Sequence, residues 1–250
     1  MGVRAPTAVV PPTSLALALP SGLTAHVRLT SAADGDFAVG QRADDLAARR
    51  HALVPLPWTW LHQVHGDRVV VVEEPGAHAG AYADAAVTAR PGAALAIQTA
   101  DCAPVALVAD EGVVAAVHVG WRGLVAGVVE AAVHAIRRTG GTRLRAVIGP
   151  CIHACCYEFG ASDLDRVAVR YGDSVRATTR SGRSALDLPA AVTSALAAIP
   201  SAAVTRAGPG CTGCGTPATF SHRARGDTAR QAMVVWLEGD GCGAQPQRGQ

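Results

Sequence analysis

Three short segments of the chain place histidine, cysteine or aspartate beside glycine or proline. They cover residues 61–66 (LHQVHG), 98–104 (QTADCAP) and 117–123 (VHVGWRG), and each adjoins an apolar run that predicts a strand. Polar groups at strand ends, next to flexible backbone, are typical of the sites that α/β proteins build. The three segments therefore contain the candidate functional residues.

Two imidazoles and one thiolate in these segments, from His65, Cys102 and His118, form a ligand set that suits Zn²⁺. A catalytic zinc keeps its fourth position open for water or substrate. The three residues are far apart in sequence, so they can share a metal only if the fold makes them converge. A buried cysteine and two hydrogen-bonded histidines are the alternative interpretation of the same residues.

Cys102 and His118 also form a candidate nucleophile pair, in which Asp101 or another group orients the imidazole. This interpretation overlaps with the metal site, because a bound metal also converts a thiol into a thiolate. Spacing alone leaves both interpretations open.

The other cysteines offer weaker motifs. Cys211 and Cys214 form a C-x-x-C, but no second C-x-x-C or H-x-x-x-H follows them. Cys151, Cys155 and Cys156 have a wider spacing and no matching partner in the sequence. We therefore expect Cys211 and Cys214 to be dispensable for metal binding. A cytidine-deaminase-type zinc site is also disfavoured, because the chain has no H-x-E motif.

Composition limits the class of protein. The 250-residue chain is 49% hydrophobic and 17% charged, which allows a globular fold with a sizeable core. Its net charge is +2 and its arginines are scattered, so no nucleic acid is expected as a partner. Seven cysteines, an odd number, predict free thiols in a reducing compartment. With a poor signal peptide and no apolar run near the ~18 residues of a membrane span, we expect a cytoplasmic protein without a membrane partner.

The elements that position the site alternate between strands and helices. Strands are predicted over residues 69–72, 84–88, 94–99, 104–109, 113–118 and 145–148. Helices are predicted over residues 43–53, 124–138, 161–169, 186–199 and 227–237, although 234–236 would also suit a strand. We expect a loose N-terminal segment at residues 1–22, one mixed α/β domain at 23–238 and a disordered tail at 239–250.

The motifs in these segments resemble the laccase-domain family, also called the YfiH-like or multicopper polyphenol oxidase family. Its signature is similar to QVHG, D-x-x-x-T, TADC-x-P, H-x-GWRG, IGPCI-x-x-x-x-YE, C-T and F-S-x-R, in that order. The matching positions are 63–66, Asp84 with Thr88, 99–104, 118–123, 148–152 with Tyr157 and Glu158, Cys211 with Thr212, and 220–223. Together these motifs are highly specific.

The resemblance implies an α/β (α+β) fold of four layers, α/β/β/α, in a single domain. It implies a zinc ion held by His65, Cys102 and His118, with copper as the less favoured metal. It also implies phosphorolysis of adenosine, inosine, guanosine and methylthioadenosine, together with deamination of adenosine. The older family name implies copper-dependent oxidation of phenols, and members have been tied to amidase-type peptidoglycan editing.

Roles for individual residues follow from this resemblance. Cys102, Asp101 and Arg122 are the predicted catalytic residues, and Gln63, Arg122 and Arg223 are the predicted substrate-binding residues. Arg122 is the candidate for phosphate because a guanidinium binds phosphate oxygens in a fork. A structural arginine is the alternative for Arg122, and a turn former is the alternative for Asp101.

The expected partners are purine nucleosides and phosphate, bound by a monomer. A non-catalytic metal-binding protein is a third hypothesis beside the phosphorylase and the amidase. The chain departs from the family at residues 32–39, where a Gly-Gly-Val-Ser segment is absent, and at 221–223, where Ser-His-Arg replaces Ser-Tyr-Arg. Both departures leave the three proposed ligands in place.

Overall fold

The structure, a computed structural model, describes residues 13–199, 203–214 and 218–239. Its strands are β1 (Ser14–Ala18), β2 (Thr24–Leu29), β3 (Trp58–His62), β4 (Val69–Val71), β5 (Ala81–Tyr82), β6 (Ala85–Thr88), β7 (Ala94–Thr99), β8 (Ala103–Ala109), β9 (Val113–Val119), β10 (Leu144–Ile148), β11 (Arg176–Thr178), β12 (Ser184–Leu186), β13 (Ala203–Arg206) and β14 (Gln231–Glu238). Its α-helices are α1 (Ala43–Leu53), α2 (Trp121–Ala126), α3 (Val128–Arg138), α4 (Ala161–Tyr171), α5 (Leu188–Ala197) and α6 (His222–Arg225).

Two six-stranded mixed sheets form the centre of the described fold. The first sheet has the order β1-β2-β14-β7-β3-β5, and the second has the order β13-β10-β8-β9-β6-β4. β7 belongs to the first sheet and β8 to the second, so the chain passes from one sheet to the other between Thr99 and Ala103. This crossing lies in the segment that carries Cys102.

Small and β-branched residues fill the space between the two sheets. Ala106, Val108 and Ala116 of the second sheet share one buried cluster with Ile97 and Val235 of the first. Stacked sheets lie about 10 Å apart, a distance that short side chains can fill without voids. The high content of alanine and valine therefore corresponds to close packing of sheet on sheet.

Helices cover both outer faces of this pair of sheets. α1 and the segment before it pack on the first sheet through Phe37 and Leu46. α2 to α5 pack on the second sheet, where Ile136, Leu164 and Leu196 are fully or nearly fully buried. The resulting order of layers is α/β/β/α, which confirms the predicted fold class.

Two predicted helices were wrong in extent or type. Residues 231–238 form strand β14 rather than a helix, because β14 pairs with β2 and β7 and its two faces are covered by different layers. A strand buried on both faces shows no alternation that would separate it from a helix. The helix predicted over 124–138 starts earlier and is divided into α2 and α3 at Gly127, whose φ of 99° is left-handed.

The segment before residue 23 is partly ordered, contrary to the expectation of a loose N-terminus. β1 pairs antiparallel with β2 from Ser14 to Ala18, at the edge of the first sheet. Residues 1–12 and 240–250, which include most of the predicted tail, lie outside the described residues. Among the described residues, no helix is both long and apolar enough to cross a membrane.

Candidate metal centre and substrate cavity

The three predicted metal ligands meet where the two sheets adjoin. His65 follows β3 of the first sheet, Cys102 lies in the crossing between the sheets, and His118 is in β9 of the second sheet opposite Pro104. One nitrogen or sulfur atom from each of the three lies within 4.8 Å of the others. The Cys102 Sγ is 3.8 Å from the His65 Nε2. The fold therefore brings together residues that are distant in sequence.

The buried carboxylate of Asp84 holds both histidines of this group. Its Oδ1 accepts a hydrogen bond from His118 Nδ1 at 2.8 Å and one from the backbone N–H of His65 at 2.9 Å. Its Oδ2 accepts from the N–H groups of Gly66 at 2.8 Å and Val64 at 3.2 Å. Because Nδ1 of His118 donates to this carboxylate, its Nε2 is the atom left for a metal. The sequence marked Asp84 only as part of a motif and gave it no role.

His65 needs this support because its backbone is left-handed, with a φ of 60°. A non-glycine residue in that region costs about 1–3 kcal/mol, which the surrounding structure must offset. Three successive N–H groups, from residues 64 to 66, converge on Asp84 and supply that offset. Burial alone would raise the pKa of Asp84, but the hydrogen bonds from His118 and the backbone hold it below its ordinary value.

The electrostatics of Cys102 and His118 favour a thiolate. Burial alone would raise the pKa of the Cys102 thiol, but the charge of His118 and hydrogen bonds from His118 and His65 lower it well below its ordinary value. Thiolates and imidazoles are the ligands that zinc prefers in proteins. The carboxylate behind His118 completes the carboxylate–histidine pair that is common around zinc. The donor set therefore fits a three-ligand zinc site.

Gly120 is required for the ligands to approach one another. A Cβ atom at this position would lie 2.9 Å from His65 Cδ2 and 3.0 Å from Cys102 Sγ. Both distances are shorter than ordinary van der Waals contacts, and both side chains are proposed ligands. The glycine that follows β9 therefore leaves room for the proposed ligand group beside α2.

Asp101 serves as a second buried anchor beside Cys102. Its Oδ1 accepts hydrogen bonds from Thr212 Oγ1 and Ser221 Oγ, both at 2.6 Å, and its Oδ2 accepts from the N–H of Arg223 at 2.7 Å. The φ of Asp101 is 103°, so these contacts also stabilise a strained turn. They support a positioning role, while the predicted catalytic role of Asp101 stays a prediction.

All seven predicted site residues line one cavity of about 690 Å³. This volume lies within the range of roughly 300–1,000 Å³ that is usual for small-molecule sites. Ala38 and Val39, from the segment that departs from the family, also form part of its wall. The residues that the structure brings together here are Gln63, His65, Asp101, Cys102, His118, Arg122 and Arg223.

The three predicted substrate-binding residues differ in how free their side chains are. The Gln63 amide is engaged at both ends by the backbone of Gln98, at 2.8 Å each. Arg223 donates to the carbonyl of Glu158 at 3.0 Å. The Arg122 guanidinium lies over the Trp121 ring, 4.5 Å from its centroid, and forms no hydrogen bond or ion pair with the described part of the chain. Of the two predicted substrate-binding arginines, Arg122 therefore has more free donors.

Gln98 is a cavity residue that sequence reasoning missed. Its side chain is 6% exposed, and neither its Nε2 nor its Oε1 has a hydrogen-bond partner among the described residues. Buried polar atoms are normally paired, so an unpaired amide facing a cavity is a candidate for ligand binding. A polar residue at the end of an apolar strand was the signal that could have identified it.

Cys211 and Cys214, which we expected to be dispensable for metal binding because the sequence offers no partners at zinc-finger spacing, have neighbouring thiols in the structure. The structure brings them to Cys155 and Cys156, and the four sulfur atoms lie within 4.8 Å of one another. The partners come from another segment and have no C-x-x-C spacing, so sequence spacing could not identify them. Cys242 lies outside the described residues.

The chain matches the family described as Multi-copper polyphenol oxidoreductase laccase over residues 27–238. It is 43% identical over 213 residues to a Streptomyces griseus protein named purine nucleoside phosphorylase, covering 82% of this chain and 84% of the relative. A Mycobacterium tuberculosis protein of the same name is 38% identical over 198 residues, covering 76% of this chain and 78% of the relative.

Solved structures share the fold. A Neisseria meningitidis protein has a TM-score of 0.73 and 27% identity, over 91% of this chain and 100% of its own. YlmD from Geobacillus stearothermophilus has a TM-score of 0.69 and 28% identity, over 87% of this chain and 93% of its own. The Bacillus licheniformis protein YfiH, at 24% identity and a TM-score of 0.73, covers 91% of this chain and 97% of its own and shows the fold alone.

Replacing Asp84 with asparagine should weaken both the fold and metal binding at the candidate centre. The amide keeps the volume of the carboxylate, but its NH₂ group faces donors, so at least one buried donor loses its acceptor. We expect the free energy of unfolding to fall by about 1.5–3 kcal/mol and the affinity for zinc to fall by roughly 10- to 100-fold. Urea unfolding and competition with a chelator of known zinc affinity measure the two effects.

Asp67→Asn is the matched control, because Asp67 lies in the same loop and is exposed. It should leave both the unfolding midpoint and the zinc affinity at the wild-type values. If Asp84→Asn behaves in the same way as Asp67→Asn, the buried carboxylate does not hold the histidines in place.

Proposed function

Because the chain belongs to the multi-copper polyphenol oxidoreductase laccase family, and relatives similar to it carry the name purine nucleoside phosphorylase, we propose that it is a zinc-dependent purine nucleoside phosphorylase. The proposed substrates are adenosine, inosine, guanosine and methylthioadenosine, each with inorganic phosphate. Deamination of adenosine is proposed as a second activity of the same site. The proposed setting is the cytoplasm, where thiols stay reduced.

The observation that carries the proposal is the composition of the cavity wall. The His65–Cys102–His118 group and the Arg122 guanidinium line the same cavity of about 690 Å³. A nucleoside and a phosphate ion could occupy such a volume together. A metal-binding group and a free guanidinium facing one cavity supply the two kinds of contact that the proposed reactions need.

Phosphorolysis joins a phosphate oxygen to C1′ of the ribose while the bond from C1′ to the purine nitrogen breaks. The work of the protein in this step is to hold the phosphate against C1′. The guanidinium of Arg122 offers a fork of donors that matches phosphate oxygens. Stacking on Trp121 keeps that guanidinium at the cavity surface, and Arg223 also lines the cavity.

Deamination needs water for attack at C6 of the purine. When bound by three protein ligands, zinc supplies a Lewis acid that lowers the pKa of water to about 7. His65, Cys102 and His118 would hold the metal, and Asp84 would fix the ring of His118 through Nδ1. The protein contributes the fixed orientation of these ligands.

The purine base would be recognised by the polar and aromatic residues of the cavity. The Gln98 side-chain amide offers an NH₂ donor and a carbonyl acceptor. Together they can pair with the acceptor and the donor on one edge of adenine. Tyr82 is 63% exposed and stacks on His62 with ring centroids 4.9 Å apart. These two rings give the cavity mouth an aromatic surface on which a base could stack.

Copper-dependent oxidation of phenols is an alternative, because two histidines and one cysteine also suit copper. Copper sites with this ligand set transfer electrons and usually have a weak axial methionine. Met233 is buried between the sheets, and the ligand group faces a cavity instead. These observations favour zinc.

An amidase acting on a peptidoglycan precursor is the other alternative. The Cys102 thiol lies 3.8 Å from the His65 Nε2 and faces the cavity, as a nucleophile with an adjacent base would. The same thiol cannot act as a free nucleophile while it ligates a metal, so metal content and substrate tests separate the two functions.

The first test is an assay of the purified protein with adenosine, with and without phosphate. We expect adenine and ribose 1-phosphate only when phosphate is present, and inosine in both conditions. Separation of the products by chromatography measures both reactions at once. Absence of both products, together with cleavage of an amide-containing cell-wall precursor, would replace the phosphorylase by the amidase.

The second test identifies the metal at the His–Cys–His group. Protein purified without added metal should contain zinc, and Cys102→Ala should lose about one zinc ion per chain, as expected for one three-ligand site. The control is Cys151→Ala, because Cys151 is buried and outside the ligand group. Elemental analysis measures the difference, and copper lost in place of zinc would support the oxidase.

The third test separates the two activities at Arg122. Arg122→Ala should slow phosphorolysis by about tenfold to a hundredfold, because a charge-assisted hydrogen bond contributes ~1.5–3 kcal/mol. Deamination should change much less, because it does not require phosphate. Initial rates of adenine and inosine formation at fixed phosphate measure both.

Two further variants complete this comparison. His118→Ala should impair both reactions, since it removes a metal ligand, whereas Arg138→Ala, on an exposed helix end, should impair neither. Equal losses of adenine and inosine formation in Arg122→Ala would show that the arginine only supports its loop. Arg223 would then be the candidate for phosphate.

A further inference from the structure

Four cysteines outside the proposed active centre converge from two separate segments. Cys155 and Cys156 lie on the 3-10 turn after β10, and Cys211 and Cys214 begin and end a turn in which the N–H of Cys214 donates to the carbonyl of Cys211. The Sγ of Cys155 lies 3.8, 3.7 and 3.2 Å from those of Cys156, Cys211 and Cys214, respectively. The Sγ atoms of Cys156 and Cys214 are 3.4 Å apart.

These separations fit four ligands of one metal ion. With zinc–sulfur bonds of about 2.3 Å, a tetrahedron places its sulfurs about 3.8 Å apart. A disulfide requires an S–S distance of about 2.05 Å, well below every separation in the group. A disulfide would also use only two of the four thiols. We propose that Cys155, Cys156, Cys211 and Cys214 bind a second, structural zinc ion.

Two hydrogen-bond donors reach sulfur atoms of this group. The backbone N–H of His153 donates to Cys211 Sγ at 3.3 Å, and Arg180 donates to Cys214 Sγ at 3.2 Å. Binding releases four protons, one from each thiol, so that four thiolates and one Zn²⁺ leave a net charge of −2. The guanidinium of Arg180 partly offsets that charge. All four cysteines are partly exposed, so the ion can enter from solvent.

Gly213 allows the two segments to approach each other. A Cβ atom at this position would lie 2.8 Å from Cys156 Cβ and 3.1 Å from its Sγ. Any other residue between Cys211 and Cys214 at this position would push the turn away from Cys156. The glycine therefore belongs to the geometry that makes a four-sulfur site possible.

The four-cysteine site adjoins the anchor of the active centre. Thr212, inside the Cys211–Cys214 turn, donates to the Asp101 carboxylate at 2.6 Å, and the N–H of Ile152 donates to the Asp101 carbonyl at 2.8 Å. Asp101 directly precedes Cys102. The second zinc would thus link the two segments that hold Asp101. Its role would be structural, because it would stabilise the cavity wall from behind.

Metal counting on the full chain tests the proposal. Protein purified anaerobically with reductant and without added metal should contain two zinc ions per chain. Cys155→Ser combined with Cys214→Ser should contain one, and Cys151→Ala, which removes a buried thiol outside the group, should contain two. The double variant should also unfold at a lower temperature than the wild type.

A second measurement does not depend on the folding of the double variant. Cys102→Ala removes the mixed centre, so its remaining zinc should show only sulfur neighbours, at about 2.3 Å, by X-ray absorption. A single zinc per chain in the wild type that is lost in Cys102→Ala, nitrogen neighbours around the zinc of Cys102→Ala, or a disulfide between any two of the four cysteines would overturn the proposal. None of these readouts requires enzymatic activity, so they are independent of the proposed reaction.

Discussion

The arrangement of the centre depends on one buried carboxylate. Asp84 is fully buried and accepts four hydrogen bonds, from His118 Nδ1 and from the three consecutive N–H groups of residues 64–66. It precedes β6 in the second sheet, whereas the residues around His65 follow β3 in the first. The carboxylate therefore fixes one histidine by its ring and the other by its backbone. Without its negative charge, the left-handed backbone of His65 and the ring orientation of His118 would both lose their main support.

A second aspartate performs the corresponding task on the other side of Cys102. The carboxylate of Asp101 accepts from Thr212, Ser221 and Arg223, which belong to segments more than a hundred positions away along the chain. Its backbone is also left-handed. Two strained turns, each held by a buried carboxylate, thus frame the ligand group. The fold itself therefore orients the three side chains of the proposed ligand group.

The sequence predicted the parts of the molecule that depend on local pattern. The proposed ligands His65, Cys102 and His118 stood out because their types suit zinc and their motifs resemble a family. Helix α1 was predicted at its observed bounds. Long-range pairing was not predictable in the same way. Cys155 gained its partners only through the fold, and β14 was taken for a helix because it is covered on both faces. Hydrophobic periodicity predicts secondary structure when one face of a segment is apolar and the other is polar. It fails for a segment that has apolar surroundings on every side.

The central position of β14 has a consequence for biosynthesis. β14 lies between β2 and β7, so the β1–β2 pair and the β7–β3–β5 group cannot join into one sheet until residues 231–238 have left the ribosome. The segments that contain His65, Cys102 and His118 leave the ribosome much earlier, while the first sheet is still incomplete. Vectorial folding from the N-terminus therefore cannot finish this domain, and sheet closure becomes a late, post-translational event with strongly non-local contacts. Loss of β14 would therefore remove a central strand of the first sheet and not an edge strand.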